Sequence, residues 1–315
     1  RRARAYPLFP SLDGWPRGLG AGRPDKVTET KPEDVIEFVD HMGLESTVLY
    51  PTAALAIGLV QDPGWAASLS RAYNNWFHAR YIKKDSRLKG VAVLPIQDPE
   101  AAAAELRYAV EKLDMVGAFL PSAMVMSKAL GNPFFQPIFR EAEQLGVPLG
   151  IHGAPSRGFG FDFFEDQGQV HALEHPFPLM IQFTSIICDG VLEKFPKLKI
   201  AFLEAGCGWL PYMMDRLDYE YETRGARSFP NLKKKPSDYV KDCPVYVTCE
   251  PEENSLAYVS QVIGADRIMF PSDYPHERVY GEFLKDIPEL LKRPELSDTT
   301  KQKILYDNAK EFYGI

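Results

Sequence analysis

Polar side chains that can bind a metal or transfer a proton follow the last four apolar, strand-like segments of the sequence. His152, Glu204, Glu250 and Asp273 each stand at the end of such a segment. Imidazole nitrogens and carboxylate oxygens are the ligands that Zn²⁺ and related divalent ions take from proteins. A carboxylate beside an apolar strand is costly unless it is paired or has a chemical function. The pattern therefore predicts metal-assisted chemistry at the ends of these strands.

Three of these residues have a predicted role, and each role has a simpler alternative. His152 is predicted to be a metal ligand, and the alternative is a hydrogen-bonded core histidine. Asp273 is predicted to bind the metal and to accept the proton of metal-bound water, unless it only caps a turn before Tyr274-Pro275. Glu204 is predicted to act as a general acid or base, or to orient a ligand histidine. Its alternative is a purely structural ion pair.

His171 and His175 have the i, i+4 spacing of helical zinc ligands. The zinc-peptidase pattern has a Glu directly after the first histidine, whereas here the Glu is the fourth residue of the pentapeptide. Pro176 also disfavours helical dihedrals for the residue before it. We therefore predict that His175 stands just before a helix begun by Pro176 and reaches the site alone, as a catalytic residue or ligand. For His171 a surface or packing role is favoured.

A phenylalanine-rich loop over 153–168 follows the first of these strand ends. Phe159 and Phe161 are predicted to contact substrate, because aromatic loop residues beside a strand-end histidine suit a lid or a pocket wall. The alternative is a loop packed on the surface or at a dimer contact. Tyr274 and His276, which follow the last strand, are predicted to contact substrate as well.

Short apolar segments alternate with amphipathic helices along the whole chain. Strands that are apolar throughout and alternate with helices indicate a parallel sheet that is covered by helices. The predicted strands are 46–51, 88–95, 117–121, 147–152, 198–204, 245–250 and 267–273. We predict a (β/α)₈ TIM barrel, in which catalytic groups cluster at the carboxyl ends of the strands. A doubly wound sheet is the competing architecture, but no Gly-rich phosphate turn follows the first strand.

Seven strands are one fewer than a closed parallel barrel contains. The sequence begins Arg1-Arg2-Ala3-Arg4, without Met, and continues through a Pro- and Gly-rich stretch. We expect that the native polypeptide extends upstream and that the first strand lies there. Residues 1–315 are predicted to form a single barrel domain.

Composition excludes several classes of partner. The net charge of −7 argues against nucleic acid and anionic membranes, although Lys233, Lys234 and Lys235 form a short basic run. No apolar run approaches the roughly 18 residues of a membrane span, and no secretory segment stands near the start. The four cysteines form no Cys-x-x-Cys pair, which is typical of reduced thiols in a cytoplasmic protein.

The sequence resembles the amidohydrolase-related family that includes aminocarboxymuconate-semialdehyde decarboxylase. The segments that carry the resemblance extend over most of the chain. They are 48–51, 88–95, 150–152, 175–177, 190–198, 202–211 and 272–276.

The resemblance implies a (β/α)₈ barrel that holds one divalent metal, usually zinc, with manganese or iron as other possibilities. It assigns His152 and Asp273 to two of the family's metal ligands. The family's acid-or-His-x-His pair on the first strand has no counterpart here. The family often has a histidine after its sixth strand, where this chain has Glu204. The decarboxylases use that histidine, so its replacement favours another reaction. By analogy with the family we expect a homodimer.

Three functions remain open at this point. The leading hypothesis is metal-dependent hydrolysis of a small, carboxylate-bearing or aromatic substrate. The alternative is non-oxidative decarboxylation, in which the metal binds the substrate carboxylate and an adjacent oxygen. The third is a barrel that has lost catalysis and serves as a binding subunit. Release of carbon dioxide without consumption of water distinguishes the second from the first.

Overall fold

The protein is a parallel α/β structure with the strand order of a TIM barrel. The computed structural model describes residues 30–154, 156, 159–275 and 283–315. Within these ranges the strands form one parallel sheet in which each strand pairs with the next along the chain. The strands are β1 (Thr47–Leu49), β2 (Leu88–Val93), β3 (Gly117–Pro121), β4 (Leu149–His152), β5 (Ile200–Leu203), β6 (Val245–Thr248) and β7 (Ile268–Met269). The predicted parallel α/β architecture is confirmed, while the additional first strand upstream stays a prediction.

Helices connect consecutive strands, as the crossover of a parallel pair requires. Helix α1 precedes β1, and at least one α-helix follows every strand. The helices are α1 (Pro32–Met42), α2 (Pro63–Phe77), α3 (Pro99–Leu113), α4 (Gln136–Leu145), α5 (Gln167–Glu174), α6 (Pro176–Cys188), α7 (Val191–Lys194), α8 (Trp209–Arg224), α9 (Pro236–Asp242), α10 (Leu256–Ile263), α11 (Phe283–Lys292), α12 (Asp298–Gln302) and α13 (Asn308–Tyr313). None of the helices in the described ranges is long and apolar enough to cross a membrane.

The strands alternate between two buried layers. On β5, Ala201 and Leu203 pack with Phe312 of the C-terminal helix, whereas Ile200 and Phe202 belong to the main core beneath the helices. Successive side chains of a strand point to opposite faces of the sheet, which explains the division. Both layers are apolar. The sequences of the strands are therefore continuously hydrophobic and do not alternate between apolar and polar residues.

Strand register brings the strand ends together. In the pairing of β4 with β5, His152 lies opposite Leu203. In the pairing of β5 with β6, Phe202 lies opposite Val247. Glu204 therefore leaves the sheet next to both His152 and the end of β6. Since all strands are parallel, their carboxyl ends lie at the same edge.

The observed strands are shorter than the predicted ones. The clearest case is β7, predicted over 267–273 but formed only by Ile268–Met269. Phe270 donates its backbone N–H to Ile304 rather than to a strand. Pro271 has no N–H to donate. The apolar sequence therefore predicted too long a strand, because hydrophobic residues continue into the turn that carries Asp273.

Helix α5 falls partly within the predicted loop and was not anticipated. The helix that begins at Pro176 is α6, and the short helix α7 follows it before β5. The prediction that Pro176 begins a helix is confirmed. All four cysteines are free thiols, as the sequence predicted.

Candidate active site

His152 occupies the end of β4 and points one of its ring nitrogens at a carboxylate. Its Nδ1 lies 2.7 Å from the backbone carbonyl oxygen of Gly153. A carbonyl only accepts, so Nδ1 carries the proton and Nε2 faces the pocket. Nε2 lies 2.7 Å from Oε2 of Glu204. The backbone thus fixes the orientation of an imidazole whose other nitrogen is available to a metal or a proton.

Glu204, directly after β5, and Asp273, in the turn after β7, both have left-handed backbone conformations, with φ of 63° and 48°. Residues other than glycine rarely adopt such angles, and doing so costs about 1–3 kcal/mol each. Side-chain contacts help to hold Glu204 there, since its backbone N–H donates to Oγ1 of Thr248 over 3.0 Å. Strained carboxylates at two strand ends are typical of a functional site.

Glu253 holds the loop that follows Glu204. Its carboxylate accepts hydrogen bonds from the backbone N–H groups of Cys207 at 3.0 Å, Gly208 at 2.6 Å and Glu250 at 3.2 Å. Gly206 has a φ of 61°, and a Cβ there would lie 3.0 Å from the Glu253 carboxylate. One carboxylate therefore links the ends of β5 and β6. Glu253 was not among the predicted site residues, because it lies in the turn before α10 rather than at the end of an apolar segment.

His175 approaches the same carboxylate from the other side. Its Nδ1 lies 3.6 Å from Oε2 of Glu204. A side chain at Gly153 would collide with the His175 ring, so only glycine permits this approach. His152, Glu204 and Asp273 were expected to converge with His175 at the edge, and the structure brings both histidines to Glu204 with the charge of Asp273 acting on them. Their catalytic roles stay predictions.

Electrostatics distinguish the two histidines. Burial opposes protonation of His152, but the charge and hydrogen bond of Glu204 outweigh it and raise the pKa of His152. Burial lowers the pKa of His175, although Glu204 acts in the opposite direction. Asp273 is close enough for its charge to raise the pKa of both histidines.

Glu250 belongs to this cluster, although it was not assigned a role from the sequence. Burial, followed by the negative charges of Glu252 and Asp273, raises the pKa of Glu250 to about 8. A carboxylic acid with such a pKa holds its proton near neutral pH and can act as a general acid. The signal was its position at the end of β6, which was noted without a specific role.

The donor set of this pocket suits a divalent cation. His152 offers Nε2, and the nearby carboxylates of Asp273 and Glu204 offer oxygen ligands. Mixed imidazole and carboxylate donors bind zinc, manganese or iron(II). His152 and Asp273 are the residues that would hold such an ion.

Tyr274, Phe159 and Phe161, which were predicted to contact substrate, make packing contacts in the structure. The ring of Tyr274 stacks on Phe38 at 4.2 Å, and its hydroxyl donates to the carbonyl of Asp34 over 3.1 Å. These contacts pack Tyr274 against α1, and its role as a substrate contact stays a prediction. Phe159 and Phe161 pack against each other at 5.7 Å. Phe161 is buried.

The predicted substrate contact His276 lies outside the described residues. For Phe159 and Phe161, the role of substrate contact stays a prediction.

His171 is exposed, which agrees with the surface role favoured from the sequence, and its ring lies next to that of His175. His175 keeps helical dihedrals, φ −91° and ψ −58°, despite the proline after it. The helical spacing is thus preserved, and the rings of His171 and His175 lie 5.3 Å apart. The steric preference imposed by Pro176 was overridden by the packing of α5 against α6.

The chain belongs to the amidohydrolase family, whose model matches residues 30–315. The family resemblance stated from the sequence is therefore confirmed. Gamma-resorcylate decarboxylase of Polaromonas sp. strain JS666 is 26% identical over 301 residues, which cover 89% of this chain and 86% of that protein. The 2-amino-3-carboxymuconate-6-semialdehyde decarboxylase of Dictyostelium discoideum is 27% identical over 267 residues, covering 84% of this chain and 71% of that protein.

Solved structures agree with this assignment. A crystal structure of 5-carboxyvanillate decarboxylase from Novosphingobium aromaticivorans, with bound manganese and 3-methoxy-4-hydroxy-5-nitrobenzoic acid, superposes with a TM-score of 0.74. It is 25% identical, and the match covers 89% of this chain and 80% of that chain. The family and these relatives identify the chain as an enzyme. Manganese in the neighbour supports a divalent metal.

Proposed function

We propose that this enzyme is a metal-dependent carboxy-lyase that removes carbon dioxide from a small aromatic carboxylate. The observation that carries the proposal is the convergence of His152 and His175 on one oxygen of Glu204, beside Asp273. This constellation can transfer a proton next to a cation-binding position. The relatives supply the reaction class, since they are decarboxylases of carboxylate-bearing substrates.

The relatives favour decarboxylation, although hydrolysis is the leading hypothesis from the sequence alone. The hypothesis of hydrolysis rested on Glu204, because the family often has a histidine at this position. The geometry supports a reason why the substitution is tolerable. Glu204 lies 2.7 Å from Nε2 of His152, directly beside the position where that nitrogen would hold the cation, so its carboxyl group can present a proton to a substrate bound there. The carboxylic acid of Glu204 can serve as the proton donor, in place of the histidine that the family often has at this position.

The residues divide the work of the reaction as follows. Loss of carbon dioxide breaks the bond between the ring carbon and the carboxylate, and the electron pair remains on the ring carbon. That carbon then needs a proton, which Glu204 is placed to deliver. His152 and Asp273 would hold the divalent cation, which supplies positive charge to bind the substrate carboxylate. Manganese and zinc are both compatible with the donors.

Product analysis tests the proposal. The protein, loaded with Mn²⁺ or Zn²⁺, is incubated with hydroxybenzoates that carry a carboxylate next to a hydroxyl group, and released carbon dioxide is quantified. In deuterium oxide, one deuterium should enter the ring at the carbon that held the carboxylate. A hydrolase would instead release no carbon dioxide from the hydroxybenzoates. It would cleave amide or ester substrates with consumption of water. That result would replace the carboxy-lyase proposal by hydrolysis.

A further inference from the structure

A second group of potential metal ligands lies at the C-terminal end of α5. His171, Glu174 and His175 each offer one ligand atom, and these atoms all lie within 4.8 Å of one another. Residues at i, i+3 and i+4 share one face of a helix, which explains the grouping. His175 Nε2 lies 3.9 Å from Oε1 of Glu174.

His175 stands between two carboxylates and presents a different nitrogen to each. Nδ1 faces Oε2 of Glu204 at 3.6 Å, on the pocket side. Nε2 faces Glu174, on the side of α5. Only 9% of His175 is exposed, and its Nδ1 makes no hydrogen bond with any residue in the described ranges. The ring is therefore buried while the hydrogen-bonding capacity of its Nδ1 remains unused.

This arrangement matches a recurrent feature of metal sites. A histidine that binds a metal through one nitrogen usually donates its other N–H to a carboxylate or a carbonyl. With a metal on Nε2 of His175, the proton would be on Nδ1, directed at Glu204. The unused Nδ1 is then explained as the donor that orients a ligand histidine.

The chemistry of the three donors specifies the ion. Two imidazoles and one carboxylate form the His₂Glu set of tetrahedral zinc sites, with the fourth position left for water. Ligand atoms around such an ion lie roughly 3.4 Å apart, given metal–ligand distances of about 2.1 Å. The 3.9 Å separation of His175 and Glu174 needs only a small closing movement. His171 is exposed, so it can rotate and the ion can enter from solvent.

We propose that His171, Glu174 and His175 form a second divalent-cation site, separate from the position of His152 and Asp273. The site would fix the tautomer of His175 and make it a hydrogen-bond donor to Glu204. Metal binding at the end of α5 would thereby influence the orientation of Glu204, the proposed proton donor.

Cobalt(II) titration of the full chain tests the site, because tetrahedral cobalt gives strong d–d absorption bands. The protein is stripped with a chelator and compared in four forms: wild type, H152A, the double variant H152A/H171A, and H152A/H41A as the matched control. His41 is an exposed histidine on α1, far along the chain from the site. We expect H152A and H152A/H41A to bind one Co²⁺ with tetrahedral bands. The double variant H152A/H171A should bind it at least about 100-fold more weakly, since even partners outside the ligand set change affinity 10- to 100-fold.

Zinc content after dialysis, measured by mass spectrometry, provides the second readout. It should fall by one equivalent when His171 is replaced, and circular dichroism should show the same fold in all forms because His171 is exposed. Equal cobalt binding by H152A/H171A and H152A/H41A would overturn the proposal, whatever reaction the enzyme catalyses. Loss of all binding in H152A alone would also overturn it, since the second site would then have no independent existence.

Discussion

Nε2 of His152 lies 2.7 Å from Oε2 of Glu204, and the two residues come from neighbouring strands. Their proximity follows from the register in which His152 pairs with Leu203, one residue before the glutamate. The left-handed backbone at Glu204 then turns its side chain toward the histidine. The pair places a carboxylate directly beside the nitrogen that would hold the cation, and this placement is central to the proposed reaction.

Replacing Glu204 by Gln should lower turnover by roughly 100-fold or more, because an amide cannot deliver the proton. Thermal unfolding should change little, since Gln has nearly the same shape. Carbon dioxide release and melting temperature measure the two effects separately. Unchanged turnover in E204Q would reduce Glu204 to a structural role.

Replacing Glu253 by Gln should destabilise the protein by about 1–3 kcal/mol and lower turnover as well. The carboxylate accepts from the backbone N–H groups of Cys207, Gly208 and Glu250, and an amide offers only one acceptor oxygen for them. Urea denaturation measures the free energy of unfolding. Glu252→Gln is the matched control, because Glu252 is exposed and adjacent. Similar unfolding curves for the two variants would contradict the linking role of Glu253.

Gly153→Ala should displace the His175 ring, since the new Cβ would collide with it. We expect a loss of activity that exceeds any loss of stability, because the displaced ring leaves the neighbourhood of Glu204. Gly168→Ala is the control, as a Cβ there meets nothing within 4 Å. Kinetics and thermal unfolding of both variants provide the comparison, and equal activity of the two would show that the position of His175 is unimportant.

The raised pKa of Glu250 predicts a pH dependence of stability in the metal-free protein. Its pKa is about 8 in the folded state, against a reference value of 4.5. A raised pKa means that the folded state holds the proton more tightly, so the contribution to stability is full below pH 4.5 and is lost as the pH rises toward 8. Glu250→Gln should flatten the fall in melting temperature across this window.

The control for this experiment is Glu33→Gln, at an exposed position on α1. Its melting temperature should keep the pH dependence of the wild type. If E250Q has that same pH dependence, Glu250 does not hold its proton in the folded state.

Removal of the metal with a chelator should abolish activity, and Mn²⁺ or Zn²⁺ should restore it. Positive charge beside the substrate carboxylate is then missing, and neither histidine can replace a divalent ion. His152→Ala and Asp273→Asn should both weaken metal binding at the main site, as isothermal titration calorimetry can measure. Full activity in a chelated sample with no detectable metal would contradict the metal-dependent mechanism.

The alternation of apolar segments and amphipathic helices was enough to predict the parallel α/β architecture. Period and burial are local properties, and a strand covered on both faces has a hydrophobic signature of its own. The residues at the strand ends could be found for the same reason. His152, Glu204 and Asp273 each follow such a segment, and parallel strands place their carboxyl ends at one edge.

Tertiary structure decided how those residues meet. The left-handed turns at Glu204 and Asp273 have no sequence signal, because neither residue type is specific for that conformation. Glu253 reaches Cys207 across 46 positions of sequence, through a register that no local pattern encodes. His175 remains helical against the preference imposed by Pro176, because packing outweighs a local steric preference. The residue types of the site and their positions at strand ends can thus be predicted from the sequence. The distances between them depend on strand register and loop packing, which only the folded chain establishes.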